Sequence, residues 1–489
     1  MVENKKKWIC LIAGAIFLVF ANGRFAFAFA AWIAPALLLV FTREEKPFKG
    51  FVILSITAGI CSQISFWNFS SRNPQNILFY LPLLMGLILS IPYLVDRLMR
   101  NHFMGVVRTL IFPVAYTTVE FLYVSFSPLG STGSLAYTQT EFTSLVQIAS
   151  ITGIYGITFM ITWFSSVAAD MSTSKNIKIA KKQIFSYLTV FTLVLGFGGI
   201  RLLIPETSQT VRVSGISAYD LRSENTQSIW NNVKENPSAF QSMSNTILKD
   251  FIKKTKTEAA AGSKIIVWSE ISPMMLYEDQ EKNFNSIKNA AKENHVTIVA
   301  APYVLSKNFQ GKDTNELMIV DSDGNIILQH IKYGGAMFDN IIKGSHILRT
   351  VSSHYGNLSG VICWDADYPS VMRQEGLIGT DILLSPAADW KDIDPIHSAP
   401  AYFRGIENGI SVLRQTVNGL SFASDTKGRY LAKMDHYTSS DWVTVAQLPI
   451  RKSFTLYPMI GDTFAIGNTI FLIYLIAFCI NKTKHSKES

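Results

Sequence analysis

Glu270, Lys332 and Cys363 are the side chains whose types could together move an acyl group. A free thiol ionises near about pH 8.5, so at neutral pH a cation or a base must stand beside it to raise the thiolate fraction. A carboxylate can take that proton and return it to a leaving group. An ammonium can hold the oxyanion of a tetrahedral intermediate, helped by backbone N–H groups. Glu, Lys and Cys therefore suffice for acyl transfer without His or metal. Taken singly, each has an ordinary explanation: a solvated Glu, a solvated Lys, a Cys packed in a core. Their placement is what makes them a set. Glu270 closes the run KIIVWSE, Lys332 closes IILQHIK and Cys363 closes LSGVIC, so all three are expected at strand ends, where α/β folds put their chemistry.

The elements that must position them lie in a stretch of ordinary soluble composition, expected to run over 206–457. Short β-branched runs alternate there with helical stretches, which predicts an α/β architecture. Apolar runs such as IIVW predict strands covered on both faces. Ser322-Asp323-Gly324-Asn325, between LMIV and IILQ, predicts a hairpin turn.

The rest of the chain is a different material. Hydrophobic residues make up 48% of the sequence and charged ones 16%, and the uninterrupted apolar runs lie before about residue 205 and after about 458. Eight segments are candidates to cross a membrane as helices, at 8–22, 25–42, 51–68, 77–95, 104–127, 148–170, 184–204 and 459–480. The first follows Lys5, Lys6 and Lys7, and we read it as half of a helical hairpin rather than as a cleaved signal peptide. The net charge of +8 does not mark a nucleic-acid face, because Lys and Arg cluster beside apolar segments. Those clusters, Lys5 to Lys7, Arg43 to Lys49, Arg97 and Arg100, Lys175 to Lys182 and Lys482 to Lys487, share one side, which predicts that both termini are cytoplasmic. Seven crossings then put 206–457 outside, and 458–489 holds a last helix and a cytoplasmic tail.

Of four cysteines, Cys10, Cys61 and Cys479 fall in apolar segments, so Cys363 has no partner for a disulfide in the soluble part. Arg108 and Glu120 fall within a candidate span, where an ionisable group is costly unless paired or wet. Arg108 is read as snorkelling to a membrane edge; Glu120 either packs through a hydrogen-bonded partner or lines a cavity. The polar, Gly-rich stretch 127–142 is expected as an outer loop that could be re-entrant.

The segment Cys363-Trp364-Asp365-Ala366-Asp367-Tyr368-Pro369, with Glu270 in VWSE and Lys332 after a strand, resembles the carbon–nitrogen hydrolase (nitrilase) superfamily. That superfamily has a Glu, Lys and Cys triad in this order. The layout of seven helices, an external domain and a final helix further resembles the apolipoprotein N-acyltransferase family. Local matches run through FPVAYTTVEFLY (112–123), SITGIYGITF (150–159), DWKDIDPIH (389–397), FRGIENGISVLRQTVNGLS (403–421) and TLYPMIGD (455–462).

The resemblance implies a polytopic α-helical membrane bundle of about eight transmembrane helices in a bacterial cytoplasmic membrane, plus a nitrilase-like α-β-β-α sandwich. It implies an acyl chain passing from a phospholipid through a Cys363 thioester to the α-amine of a diacylglyceryl-cysteine lipoprotein. Glu270 would be the general base and Lys332 the oxyanion stabiliser. No cofactor, metal or nucleic acid is expected, and oligomeric state is left open. A membrane-tethered amidase, in which water resolves the thioester, and a non-catalytic binding descendant are the competing readings.

Trp268, Phe338, Asp339, Trp364, Asp389 and Trp390 are expected to support the site or bind substrate. The family usually has a further glutamate eight positions after the lysine, where this chain has Asn340 beside Asp339. The Asn usual before the aromatic of the post-cysteine loop is also absent, and Ala387-Ala388-Asp389-Trp390 stands there. Trp390 anchors its loop or touches lipid, His397 orients that loop, and Arg404 with Glu407, at i and i+3, are expected to pair. Residues 334–347, with Gly-Gly and exposed-looking Met337, Phe338, Ile341 and Ile342, read as a lid or as core.

Overall fold

The computed structural model describes residues 2–67, 69, 76–173, 177–205, 209–335 and 340–488. Two compact units emerge: one comprises 1–127, 131–204 and 460–489, the other 128–130 and 205–459.

The first unit is helical. Among the described residues six helices are long and apolar enough to cross a membrane: Pro47–Ser65, Leu78–His102, Gly105–Phe126, Ile154–Thr173, Lys178–Leu203 and Thr463–Thr483. Helices also form at Val2–Val19 and Ala28–Glu44, where the first two spans were expected; the former opens on charged residues and the latter is 17 residues long. The span expected over 148–170 begins later, because Gly153 takes φ +63 and separates the turn Ala149–Thr152 from the helix Ile154–Thr173.

Four of the buried charged residues described in this unit form a paired cluster, as a low-dielectric interior favours. Arg43 donates bidentately to Asp96 at 2.8 and 2.9 Å and reaches Asp170 at 3.1 Å, and Arg100 also bonds Asp170. Arg108 is not merely snorkelling: its Nε lies 3.5 Å from Asp170. Glu120 is buried against the Ser134 and Thr158 hydroxyls. The polar stretch 127–142 forms a short, buried 3-10 turn over Leu135–Gln139.

The second unit is built on twelve strands: β1 (Thr210–Ile216), β2 (Ile265–Met275), β3 (Thr297–Val304), β4 (Thr314–Val320), β5 (Ile326–Ile331), β6 (Thr350–Ser353), β7 (Gly356–Gly360), β8 (Ile382–Ala388), β9 (Ser411–Val417), β10 (Leu420–Ser424), β11 (Tyr430–Asp435) and β12 (Val443–Pro449). They form two six-stranded sheets, in the orders β12-β1-β2-β3-β4-β5 and β11-β10-β9-β8-β7-β6. Alternation along each strand sorts the side chains by face. Ile265, Val267, Val299 and Leu317 meet Leu358, Ile382, Leu384 and Leu413 between the sheets. Ile266, Trp268, Ile298 and Met318 face outward onto the helices Pro237–Ala260 and Gln280–Asn294. The helix Ala399–Asn408 covers the second sheet, which completes four layers, α-β-β-α. The expected hairpin joins β4 to β5: Asp321 Oδ1 accepts the N–H groups of Asp323 and Asn325, and Gly324 takes φ +85.

Candidate active site

Glu270 does not end its strand, as the sequence suggested; β2 continues to Met275. Register shifts on both sides of Glu270 and φ +62 at Ile271 form a bulge, which lets the strand continue while re-aiming the carboxylate. Lys332 follows directly on β5, and its N–H donates to the Asn315 carbonyl at 3.0 Å. Cys363 opens a 3-10 turn over Cys363–Asp367, three residues after β7, with φ +48.

The structure brings these three together. Lys332 Nζ donates to Glu270 Oε1 at 2.7 Å, and Asn315 Nδ2 donates to the same oxygen at 2.7 Å. Glu270 Oε2 has no hydrogen-bond partner among the described residues, so it is the oxygen available to a proton. Both charges act on Cys363, whose Sγ lies 3.9 Å from the Ala388 carbonyl. Burial pushes the thiol well above its ordinary value, the Glu270 charge adds to that, and Lys332 opposes it. That direction favours the protonated thiol over the thiolate.

Asp365 ties the lysine and cysteine segments into one body. Its Oδ1 accepts the N–H groups of Tyr333 (3.0 Å) and Gly334 (2.6 Å), and its Oδ2 accepts that of Ile362 (2.9 Å) and lies 2.8 Å from His330 Nε2. Gly334 is needed for this approach, because a Cβ there would come within 2.7 Å of the Trp364 carbonyl group.

Of the residues expected to support the site, Trp364 and Asp389 lie beside the thiol's segment. Trp364 is buried, stacks toward Trp390 with ring centroids 6.5 Å apart, and donates from Nε1 to the Leu129 carbonyl at 3.4 Å. Trp268 is directed elsewhere: it stacks on Phe251 (4.9 Å) and donates to Thr255 Oγ1 (3.0 Å), inside the helix-covered layer. Phe338, Asp339 and Met337 lie outside the described residues. Asn340 turns away, its Nδ2 donating to the Gly311 carbonyl at 3.0 Å. Ile341 is buried in the core rather than exposed, while Ile342 is 43% exposed. Arg404 and Glu407 pair at 3.0 Å, both buried.

Asp389 belongs to a cluster that the sequence reading did not assemble. Arg414 Nη2 donates to both Asp389 oxygens at 2.9 Å, and His397 Nδ1 lies 2.8 Å from Asp389 Oδ1. His397 Nε2 lies 3.3 Å from Asp367 Oδ2. Atoms of Cys363, Asp389 and His397 lie within 4.8 Å of one another, a spacing a metal ion could use. That donor set is already committed, since Arg414 occupies both Asp389 oxygens and two carboxylates flank the imidazole. Asn315, near the start of β4, carried no sequence signal, and His397 and Arg414 are near the thiol in space but far from it along the chain.

The two facing sheets, with Glu270 at a bulge in β2 and Lys332 and Cys363 just after β5 and β7, fit a carbon–nitrogen hydrolase domain, and residues 222–452 match the model of the Carbon-nitrogen hydrolase family. Residues 13–167 match the Apolipoprotein N-acyltransferase N-terminal domain. With both in one chain, the protein belongs to the apolipoprotein N-acyltransferase family of that superfamily. The chain is 23% identical to the apolipoprotein N-acyltransferase of Geobacter metallireducens over 481 residues, covering 89% of this chain and 88% of that one. It is 23% identical to that of Haemophilus influenzae over 479 residues, covering 88% and 86%. An amidase structure from Nesterenkonia sp. aligns with 54% of this chain and 98% of its own, at 15% identity and a TM-score of 0.40.

Proposed function

We propose that this protein transfers an acyl chain from a membrane phospholipid to the N-terminal amine of a lipoprotein, through a thioester on Cys363. That it is an acyltransferase of this superfamily rests on its two domains and its relatives. The observation that supports the residue assignment is the Glu270–Lys332 pair at 2.7 Å acting on one buried thiol.

In the first half-reaction Glu270 takes the Cys363 proton as sulfur bonds to the ester carbonyl carbon, and Lys332 faces the oxygen that becomes negative. The ester C–O bond then breaks, the proton passes from Glu270 to the departing alkoxide, and the lysophospholipid leaves. In the second, the lipoprotein amine attacks the thioester, Glu270 takes its proton, the C–S bond breaks, and the thiol is restored.

We place the chain in the cytoplasmic membrane of a bacterium, with 206–457 on the external side and both termini inside, on the strength of the Lys and Arg clusters. That placement suits a lipid-borne donor and a lipid-anchored acceptor.

The test is mass spectrometry of a lipoprotein N-terminus from cells lacking this protein and its homologues, complemented with the native chain or with Cys363→Ala. The native chain is expected to restore the N-acyl group and the variant to leave it absent. Release of free fatty acid from phospholipid with no N-acylation would instead mean that water resolves the thioester.

A further inference from the structure

The sulfur of Cys363 faces two charged groupings, and the reaction above uses only one of them. The second is buried: Asp389, Asp367 and Arg414 are each 1% exposed and His397 is 6% exposed. It gathers distant parts of the domain. Asp389 follows β8, Asp367 closes the turn begun by Cys363, Arg414 lies in β9 and His397 lies in the 3-10 turn Ile396–Ser398. On the imidazole's own segment Lys391, Asp392 and Asp394 are the further charged groups, and the Trp364 ring lies 4.6 Å from the His397 ring.

The His397 imidazole lies between the two acids, Asp389 at 2.8 Å and Asp367 at 3.3 Å. Burial pushes its pKa down, but Asp389 and then Asp367 outweigh that and carry it up to about 9. Burial likewise pushes Asp389 up, and Arg414 and His397 outweigh it and hold the carboxyl at about 2. Asp389 and His397 therefore hold each other charged, beside the Arg414 guanidinium. This matters at the sulfur because an uncompensated carboxylate within 4.8 Å would oppose a growing thiolate. Asp389 makes the thiol harder to ionise and Arg414 makes it easier.

We propose that Arg414 and His397 are positioning residues for Cys363: they hold Asp389 neutralised beside the sulfur, so that Glu270 can still draw off the thiol proton. The proposal rests on Cys363 being the nucleophile, and it assigns work to a cluster that a purely structural clamp would not do. Removing a cation and removing the anion must have opposite effects on the thiol.

The experiment measures the rate of iodoacetamide labelling of Cys363 in the full-length, detergent-solubilised protein at pH 7. The peptide carrying Cys363 is quantified by mass spectrometry, with Cys10, Cys61 and Cys479 as internal references. Arg414→Gln is expected to slow labelling by about tenfold and Asp389→Asn to speed it by a similar factor, the effect of about one pKa unit in each direction. The double variant Asp389→Asn/Arg414→Gln is expected to return close to the native rate. If the two single variants move in the same direction, as general loosening of the site would make them, or if the double variant is no faster than Arg414→Gln, the proposal is wrong. Should a single variant fail to accumulate as folded protein, His397→Gln carries the same test: slower labelling supports the proposal, and equal or faster labelling overturns it. Labelling reads the thiol and not turnover. Failure here would leave the thioester reading standing, and failure of N-acylation would leave the labelling result standing.

Discussion

A buried thiol with a carboxylate nearby resists ionisation, so under the proposed mechanism the base that serves Cys363 must be held in one position before substrate arrives. Asn315 and Lys332 do this by both donating to Glu270 Oε1, which leaves Oε2 for the thiol proton. Asn315→Ala removes one of those two bonds and leaves the backbone contact from Asn315 to Lys332 in place. The acylation rate constant, followed as thioester formation from phospholipid, is expected to fall about tenfold, corresponding to one hydrogen bond to a charged group. The melting temperature is expected to change little, which separates this effect from unfolding.

At the scale of elements, the site depends on how closely the segment after β5 approaches the turn after β7. Asp365 makes that junction with one carboxylate serving three buried N–H groups, those of Ile362, Tyr333 and Gly334. Asp365→Ala orphans all three, at about 1–3 kcal/mol each. It is expected to lower the stability of the catalytic unit by more than about 3 kcal/mol in chemical denaturation. Gly334→Ala tests the same junction from the other side, since its Cβ would meet the Trp364 backbone at 2.7 Å. Acylation is expected to be lost in that variant. Gly334, at the start of the segment that read as a lid or as core, is a place where two backbones press together.

At the scale of the whole molecule, stability is expected to depend on pH through Glu375. This fully buried carboxyl accepts from Ser359 Oγ at 2.8 Å and Thr380 Oγ1 at 2.5 Å, and burial pushes its pKa up to about 7 against an ordinary value of 4.5. Because the folded value is raised, the protonated group favours the fold below about pH 4.5, and that advantage is lost as pH rises through about 7. Glu375→Gln, which cannot ionise, is expected to melt higher than the native chain at pH 8 and to lose that advantage at pH 5. Thermal melts at the two pH values check this; an equal difference at both would mean that Glu375 is not the titrating group.

The membrane character and the order Glu270, Lys332, Cys363 were legible from sequence because both are local properties. An apolar run of about 20 residues announces a membrane helix wherever it lies, and a strand followed by Cys-Trp-Asp is contiguous. The count of spans was less legible, since Gly153 breaks one helix and two others are charged or short. Only the tertiary structure decided which polar groups meet at the sulfur. Asn315 and Arg414 come from strands in different sheets, and the direction of Glu270 depends on a bulge whose signature, φ +62 at Ile271, no β-branched residue advertises. Trp268 shows the converse: two positions from Glu270 in sequence, it faces the helix layer and belongs to the core.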